Sequence, residues 1–503
     1  NTMKKGFYAF FVVASLIAGT FFLSIFIIPY NIFKQMGDHL SKDGDFQRLT
    51  PELMQQLRYP ALIFGIILII LFIVLLVWKK ESLKQIEKNS LLLRSLKTML
   101  VRDSQKLLND LGAGRPSSLD SLVLGVIVLL AIGLRLVMIN RPIEYDEAYT
   151  FIEFARHSFK TILTDYHVPN NHIFHTLLVR LSYLVFGNGI WQIRLPTFVA
   201  SIFLVISMYF LARNYFNRIA GILASILTAT IPILVLKSVS ARGYIIVCLI
   251  MVISLILANY VRVRKNIAAW LLLAFLCSIG FYTIPMMIYP AGFIFFWLAS
   301  LGISRPTQEA YSGWFSWIKH IIASGLLVIL FTFLFYLPVL LSGNIERILY
   351  GNRVLHPSPF SDFILTMPRL LEKIATEWKS GLHPLLWWLL MLGFLLSFIT
   401  TNRLNYRHKL PTPVIFVPFI LSMVFIQRPY PIARIWIWIL PLVIVWSTSS
   451  LVRILELVSH KLSSPKVFCF GVSLFVVAFI LNGIFSIQQA SRNNTFVEDP
   501  AAK

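Results

Sequence analysis

The sequence predicts an all-α protein that crosses a membrane many times. Of its 503 residues, 57% are apolar and 13% are charged, against about 25% charged residues in a soluble globular chain. Mean hydropathy is +0.76. The apolar residues gather into repeated runs close to the roughly 20 residues that a helix needs to cross a bilayer. This composition excludes a disordered chain, a secreted disulfide scaffold and a soluble enzyme. Cys248, Cys277 and Cys469 all fall inside apolar runs, where cysteine reads as a small buried hydrophobe and not as a disulfide or zinc ligand.

In chain order the candidate spans lie near 7–28, 60–78, 119–139, 195–212, 219–236, 245–261, 267–282, 286–303, 320–341, 383–399, 414–427, 435–451 and 467–485. The first follows Lys4 and Lys5 and continues through Ile28 without a convincing small-residue cleavage site, so it reads as a signal anchor. With those lysines in the cytoplasm, alternation makes 79–118, Arg213–Arg218, Arg262–Lys265, 304–319, Arg403–Lys409 and Arg453–Lys466 cytoplasmic. Every one of these segments carries Lys or Arg, as the positive-inside rule requires. Counting the apolar stretch 170–187 as a span would move the ARNYFNR and VRVRKN clusters outside. It is therefore predicted to be an interfacial or re-entrant helix, a setting that suits His172, His175 and Arg180. Arg135, a charge within a span, lies near its outer end and is expected to snorkel.

Four segments follow from this division: a two-span hairpin (1–78), a basic amphipathic cytoplasmic linker (79–118), an eleven-span membrane domain (119–485) and a short extracytoplasmic tail (486–503). In the linker, Leu83, Ile86, Leu93, Leu96, Leu100, Leu107 and Leu111 recur at helical spacing among Lys84, Lys88, Arg94 and Lys106. The formal net charge of +23 is scattered in short clusters between spans. That pattern argues against nucleic acid and for anionic lipid headgroups or anionic lipid-linked substrates.

The outer loop at about 140–194 carries the most unusual chemistry. It opens with RPIEYDEAYTF, placing Glu144, Asp146 and Glu147 at the outer end of a span, where acids are expensive and commonly functional. Pairing with Arg141 or Arg156 at headgroup level is the bland alternative. Adjacent Asp146 and Glu147 cannot face one point on a helix, so one is expected to do chemistry and the other to organise the loop. Further along come HVPNNHIFH, with His167, Asn170, Asn171, His172 and His175, then Lys237, Arg242 and Tyr244, then Arg428 and Arg434 in RPYPIAR. His172 and His175 are helix neighbours, but no fixed carboxylate or cysteine completes a metal set. They are expected to make hydrogen bonds, with no metal or other cofactor required.

The order of these features, a span, a DE pair opening an outer loop, an interfacial helix, then RLPTFVASIFLVISMYFLARNYF and NRIAGILASILTATIPILVLKSVSARGY, resembles the GT-C class of membrane glycosyltransferases. The similarity is to the dolichyl-phosphate-mannose protein mannosyltransferases and the lipid A aminoarabinose transferases. It covers roughly 119–300 and reaches more loosely to ARIWIWILPL at 433–442, while 1–118 finds no counterpart. The resemblance implies a GT-C fold of about eleven spans preceded here by two more, a bacterial cytoplasmic membrane location and an active site on the extracytoplasmic face. It implies an inverting transfer of a sugar from a polyprenyl-phosphate donor to a hydroxyl of an extracytoplasmic acceptor, with Asp146 as base. The leaving phosphate is already a stable anion and needs cations and hydrogen-bond donors. Lys237, Arg242, Tyr244, Arg428 and Arg434, with Asn171, His172 and His175 beside them, are the candidates. Where relatives carry His-Pro-Pro-Leu this chain has HVPNNHIFH, which leaves the acceptor open. A lipid or glycan transporter is the alternative from another class, and a ligase or polymerase using a diphosphate carrier is the alternative reaction.

Overall fold

The computed structural model describes residues 2–40, 51–77, 79–300, 310–342, 357–404, 412–428 and 432–493. The chain forms two compact units that divide between Arg102 and Asp103. The first holds α1 (Thr2–Ile27), α2 (Tyr30–Leu40), α3 (Pro51–Val77) and most of α4 (Lys79–Ala113). α1 and α3 approach through a pair of glycines. A Cβ on Gly19 would meet the Ile69 side chain at 2.9 Å, and one on Gly65 would meet Leu23 at 2.8 Å. Small residues of this kind let helix backbones close on each other where lipid offers no hydrophobic drive. The side chains of 81–94, which bear much of the linker's apolar stripe, lie outside the described residues.

The second unit continues through α5 (Ser118–Met138), α6 (Tyr145–Thr150), α7 (Phe159–Thr164), α8 (Ile173–Phe186), α9 (Ile190–Tyr215), α10 (Arg218–Thr230), α11 (Pro232–Ser238), α12 (Tyr244–Val263), α13 (Ile267–Thr283) and α14 (Ile288–Ser300). After these come α15 (Trp314–Leu341), α16 (Phe360–Lys379), α17 (Pro384–Leu404), α18 (Pro413–Gln427), α19 (Ile439–Lys461) and α20 (Pro465–Asn493). The predicted apolar runs fall largely on helices, but 219–236 is divided between α10 and α11, and 301–303 of the run 286–303 lie outside the described residues. Among the described residues, six helices are long and apolar enough to cross a membrane, or up to eight if two bent pairs each count as one span; several others are shorter. No strand occurs among the described residues. The protein is thus an all-α, multi-pass membrane protein. The stretch 170–187 becomes a loop followed by α8, whose 14 residues span about 21 Å, short of the roughly 30 Å hydrocarbon core. The polar residues Arg347, Arg353 and His356 of the 342–382 loop, and residues 494–503 of the tail, lie outside the described residues; the rest of that loop is largely α16.

On the side assigned to the cytoplasm, the last turns of α4 dock on the α12–α13 turn. The Asp103 carboxylate accepts the N–H of Ile267 at 2.8 Å. Asp110 accepts the Tyr260 hydroxyl at 2.8 Å and pairs with Arg264.

Arg135 departs from the sequence expectation. It does not snorkel: it is buried and turns inward, with Nε donating to Ser201 Oγ at 2.8 Å and the two Nη atoms to the carbonyls of Ala229 (3.1 Å) and Thr228 (3.3 Å). Those carbonyls end α10, where the chain bends by 62° into α11 at Pro232. A helix end leaves carbonyls without partners and carries partial negative charge, and the guanidinium answers both. α11 then carries the chain to the segment 239–243.

Candidate active site

The site is built on α6, a helix of six residues capped at its N-terminus by Glu144. The Glu147 carboxylate reaches back to accept the Glu144 N–H at 2.9 Å, the reciprocal half of a capping box. Glu147 is fully buried, and its two oxygens receive Arg194 Nε (3.0 Å) and Nη2 (2.6 Å), with the Ala241 N–H at 2.5 Å. Arg194 also donates to the carbonyls of Ile139 and Arg141, each at 2.8 Å, and of Pro142 at 3.0 Å. One ion pair therefore rivets together the outer end of α5, the start of α6, the base of α9 and the 239–243 segment. Of the DE pair, Glu147 is the one fixed to the surrounding backbone.

Asp146, one position back, faces the other way and remains 22% exposed. Its Oδ2 lies 2.6 Å from Arg434 Nη1 and 3.8 Å from Arg242 Nη2, and Asn170 Nδ2 donates to Oδ1 at 3.3 Å. Burial works to raise the carboxyl pKa, but the guanidiniums of Arg242 and Arg434, with the Asn170 amide, outweigh it and hold the group below its ordinary value.

Arg242 is buried and fixed by neutral groups. It donates to Thr150 Oγ1 (3.0 Å), Asn170 O (3.3 Å) and Asn170 Oδ1 (2.9 Å), it sits 3.3 Å from His172 Nε2, and its guanidinium carbon lies 6.0 Å from the centre of the Tyr244 ring. His172 Nδ1 accepts the Gly243 N–H at 3.1 Å. A Cβ on Gly243 would come within 2.6 Å of Thr283 and 3.3 Å of that nitrogen, so this close approach requires glycine. With Nδ1 accepting, the remaining ring proton of a neutral His172 sits on Nε2, on the Arg242 side.

The loop 165–172 is folded by its own side chains. Asn171 donates to the carbonyls of Ile162 and Asp165. Asp165 accepts His167 Nδ1 at 2.7 Å, and His167 Nε2 meets the Tyr149 hydroxyl at 3.1 Å. His175 contacts Thr197 Oγ1 at 3.1 Å, and that hydroxyl donates to the Arg242 carbonyl.

Of the residues singled out from sequence, Asp146, Arg242, His172, Tyr244 and Arg434 come together. Asn171 and His175 are buried behind this group, occupied with loop and backbone. Lys237 pairs instead with Glu377 of α16 at 2.9 Å. Arg428 ends α18 in the left-handed conformation (φ 45°), its carbonyl accepting the Ser358 N–H. Sequence reasoning missed Arg194 and Thr150 and gave Asn170 no role. The RLPTF motif was the available signal for Arg194. Among the described residues no group of three or more His, Cys, Asp or Glu side chains is arranged to hold a metal ion.

Burial pushes His172 well below the usual histidine range, with the Arg242 charge adding to the effect, and pushes His175 down to about 3 for the same reasons. Both are neutral when folded and gain protons more readily when unfolded. Their contribution to stability is complete above about pH 6.5 and falls away as the pH drops from there toward 3. Melting temperatures measured in detergent between pH 7.5 and 5 should decline. His175→Gln should reduce that slope, by at most about 1.4 kcal/mol per pH unit; identical slopes would count against the buried neutral histidine.

Comparison with known proteins finds that the chain is similar, over part of its length, to membrane mannosyltransferases. Residues 169–341, about a third of the chain, match the family described as dolichyl-phosphate-mannose-protein mannosyltransferase. A putative mannosyltransferase of Bacillus subtilis (strain 168), YkcB, is 32% identical over 127 residues, which is 24% of this chain and 17% of the length of that relative. Among solved structures, ArnT from Cupriavidus metallidurans bound to undecaprenyl phosphate is similar at 12% identity and TM-score 0.49, covering 76% of this chain and 78% of that one. The oligosaccharyltransferase AglB from Archaeoglobus fulgidus, in complex with an inhibitory peptide and a dolichol-phosphate, is similar at 13% identity and TM-score 0.45, covering 74% and 56%.

Proposed function

We propose that the chain is an inverting glycosyltransferase of the bacterial cytoplasmic membrane, acting on its outer face. It moves a sugar from a polyprenyl-phosphate carrier to a hydroxyl of an extracytoplasmic glycolipid, glycan or protein. The observation that carries this reading is a single partly buried carboxylate, Asp146, set between two guanidiniums beside a buried neutral histidine. Asp146 takes the proton of the acceptor hydroxyl as its oxygen bonds to the anomeric carbon. The bond from that carbon to the phosphate oxygen breaks, and its electron pair stays with the phosphate. Arg434 and Arg242 meet that charge, and the Nε2–H of His172 is placed to add a hydrogen bond. Glu147 and Arg194 are positioning residues, because they act through the α6 backbone. The unusual residues gather at the outer ends of helices, where a transporter would need them near the bilayer midplane.

The test is to give membranes containing the chain a mannosyl-phosphoryl-undecaprenol with labelled sugar, alongside its diphosphate-linked counterpart. Thin-layer analysis then shows which carrier is consumed. Label leaving the monophosphate carrier is expected, at a rate unchanged by EDTA, since guanidiniums carry the role a metal would take. Label leaving the diphosphate carrier instead would favour a ligase or polymerase.

A further inference from the structure

We propose that Arg434 is exchanged between Asp146 and the phosphate of the donor, so that the base is quenched until the donor is bound. The proposal rests on the glycosyltransferase reading above and concerns the control of that site. In the present structure Asp146 Oδ2 is 2.6 Å from Arg434. A carboxylate in such a charge-assisted hydrogen bond directs the lone pair it needs for proton abstraction at a cation. To take a proton from a hydroxyl it has to be released.

The two arginines are not equivalent candidates for that release. Arg242 is buried and anchored by Thr150 and by both oxygens of Asn170; moving it would dismantle the loop. Arg434 is 37% exposed and stands on a four-residue turn, Ala433–Trp436. A phosphate offers the same planar fork a bidentate partner at least as good as a carboxylate. When Arg434 turns to it, Asp146 keeps the Asn170 amide at 3.3 Å and the more distant Arg242 at 3.8 Å, contacts that hold its position with less opposition to a proton. Substrate addition is then ordered, since an acceptor arriving first finds the carboxylate occupied.

Part of the donor's binding energy is spent in parting Arg434 from Asp146, and this gives an unusual expectation: removing the negative charge of the base strengthens donor binding. The experiment is a double-mutant cycle on the affinity of the purified full chain for undecaprenyl phosphate, in nanodiscs of phosphatidylcholine. Asp146→Asn should bind on the order of 5-fold tighter than the wild type, and Arg434→Gln more weakly. In the Arg434→Gln background the gain from Asp146→Asn should disappear, because the released arginine is no longer there. A gain of equal size in both backgrounds would mean that Asp146 merely repels the phosphate, and would overturn the exchange, as would no gain at all. Arg434→Lys, which keeps the charge, should retain part of the gain; its complete loss there would also count against the exchange. If the wild type itself fails to bind undecaprenyl phosphate, the donor reading falls and the exchange falls with it.

Discussion

Asp146→Asn lowers turnover by a factor on the order of 100 or more while leaving the fold in place and donor binding at least as tight as in the wild type. Asparagine has the same shape, and its carbonyl oxygen can still accept from Arg434 or Asn170, so the geometry around α6 survives. What it lacks is a basic oxygen to take the acceptor proton. The effect belongs in the catalytic constant at saturating donor, measured by steady-state transfer with the labelled carrier. Turnover like that of the wild type in this variant would remove Asp146 from the base role and return the site to a binding function.

Arg194→Met is expected to destabilise the folded protein by about 3–5 kcal/mol, as breaking a buried ion pair does when one charge is left behind. Two costs combine. Glu147, fully buried, loses its cation, and the carbonyls of Ile139, Arg141 and Pro142 lose their donor. Glu147→Gln should destabilise in the same direction, since it leaves the guanidinium uncompensated. Both are read as lowered melting temperature and reduced yield in detergent, and Asp146→Asn should show neither change. Should Arg194→Met melt like the wild type, the rivet would have no mechanical role and the placement of Asp146 would need another explanation.

The spans were legible because hydrophobicity at membrane depth is a local property: each run can be read without knowing its neighbours. The separation of Asp146 from Glu147 was legible too, since it follows from the 100° between successive helical residues. Partners were not. Arg194 meets Glu147 across 47 positions and Arg434 meets Asp146 across 288, and nothing local marks either pairing. Lys237 illustrates the same limit. Its position at an outer helix end suits a phosphate, but α16 brings Glu377 within 2.9 Å of it. Asn170 carries no charge to mark it in the sequence, yet its amide touches both Asp146 and Arg242. The resemblance to a known family supplied Asp146, Arg242 and Arg434. The scaffold that aims them came from the three-dimensional arrangement.

The guanidinium inside α5 bears on how the protein is made. A ribosome delivers α5 to the membrane well before α9 and α10, and the groups that satisfy Arg135 lie 66 to 94 residues further along the chain. Until they arrive, Arg135 of an inserted α5, three residues from the end of the helix, has the headgroup region within reach. The inward turn of Arg135 therefore has to follow the entry of Ser201 and the carbonyl end of α10 beside α5. Only then can the outer half of the domain close into its final arrangement.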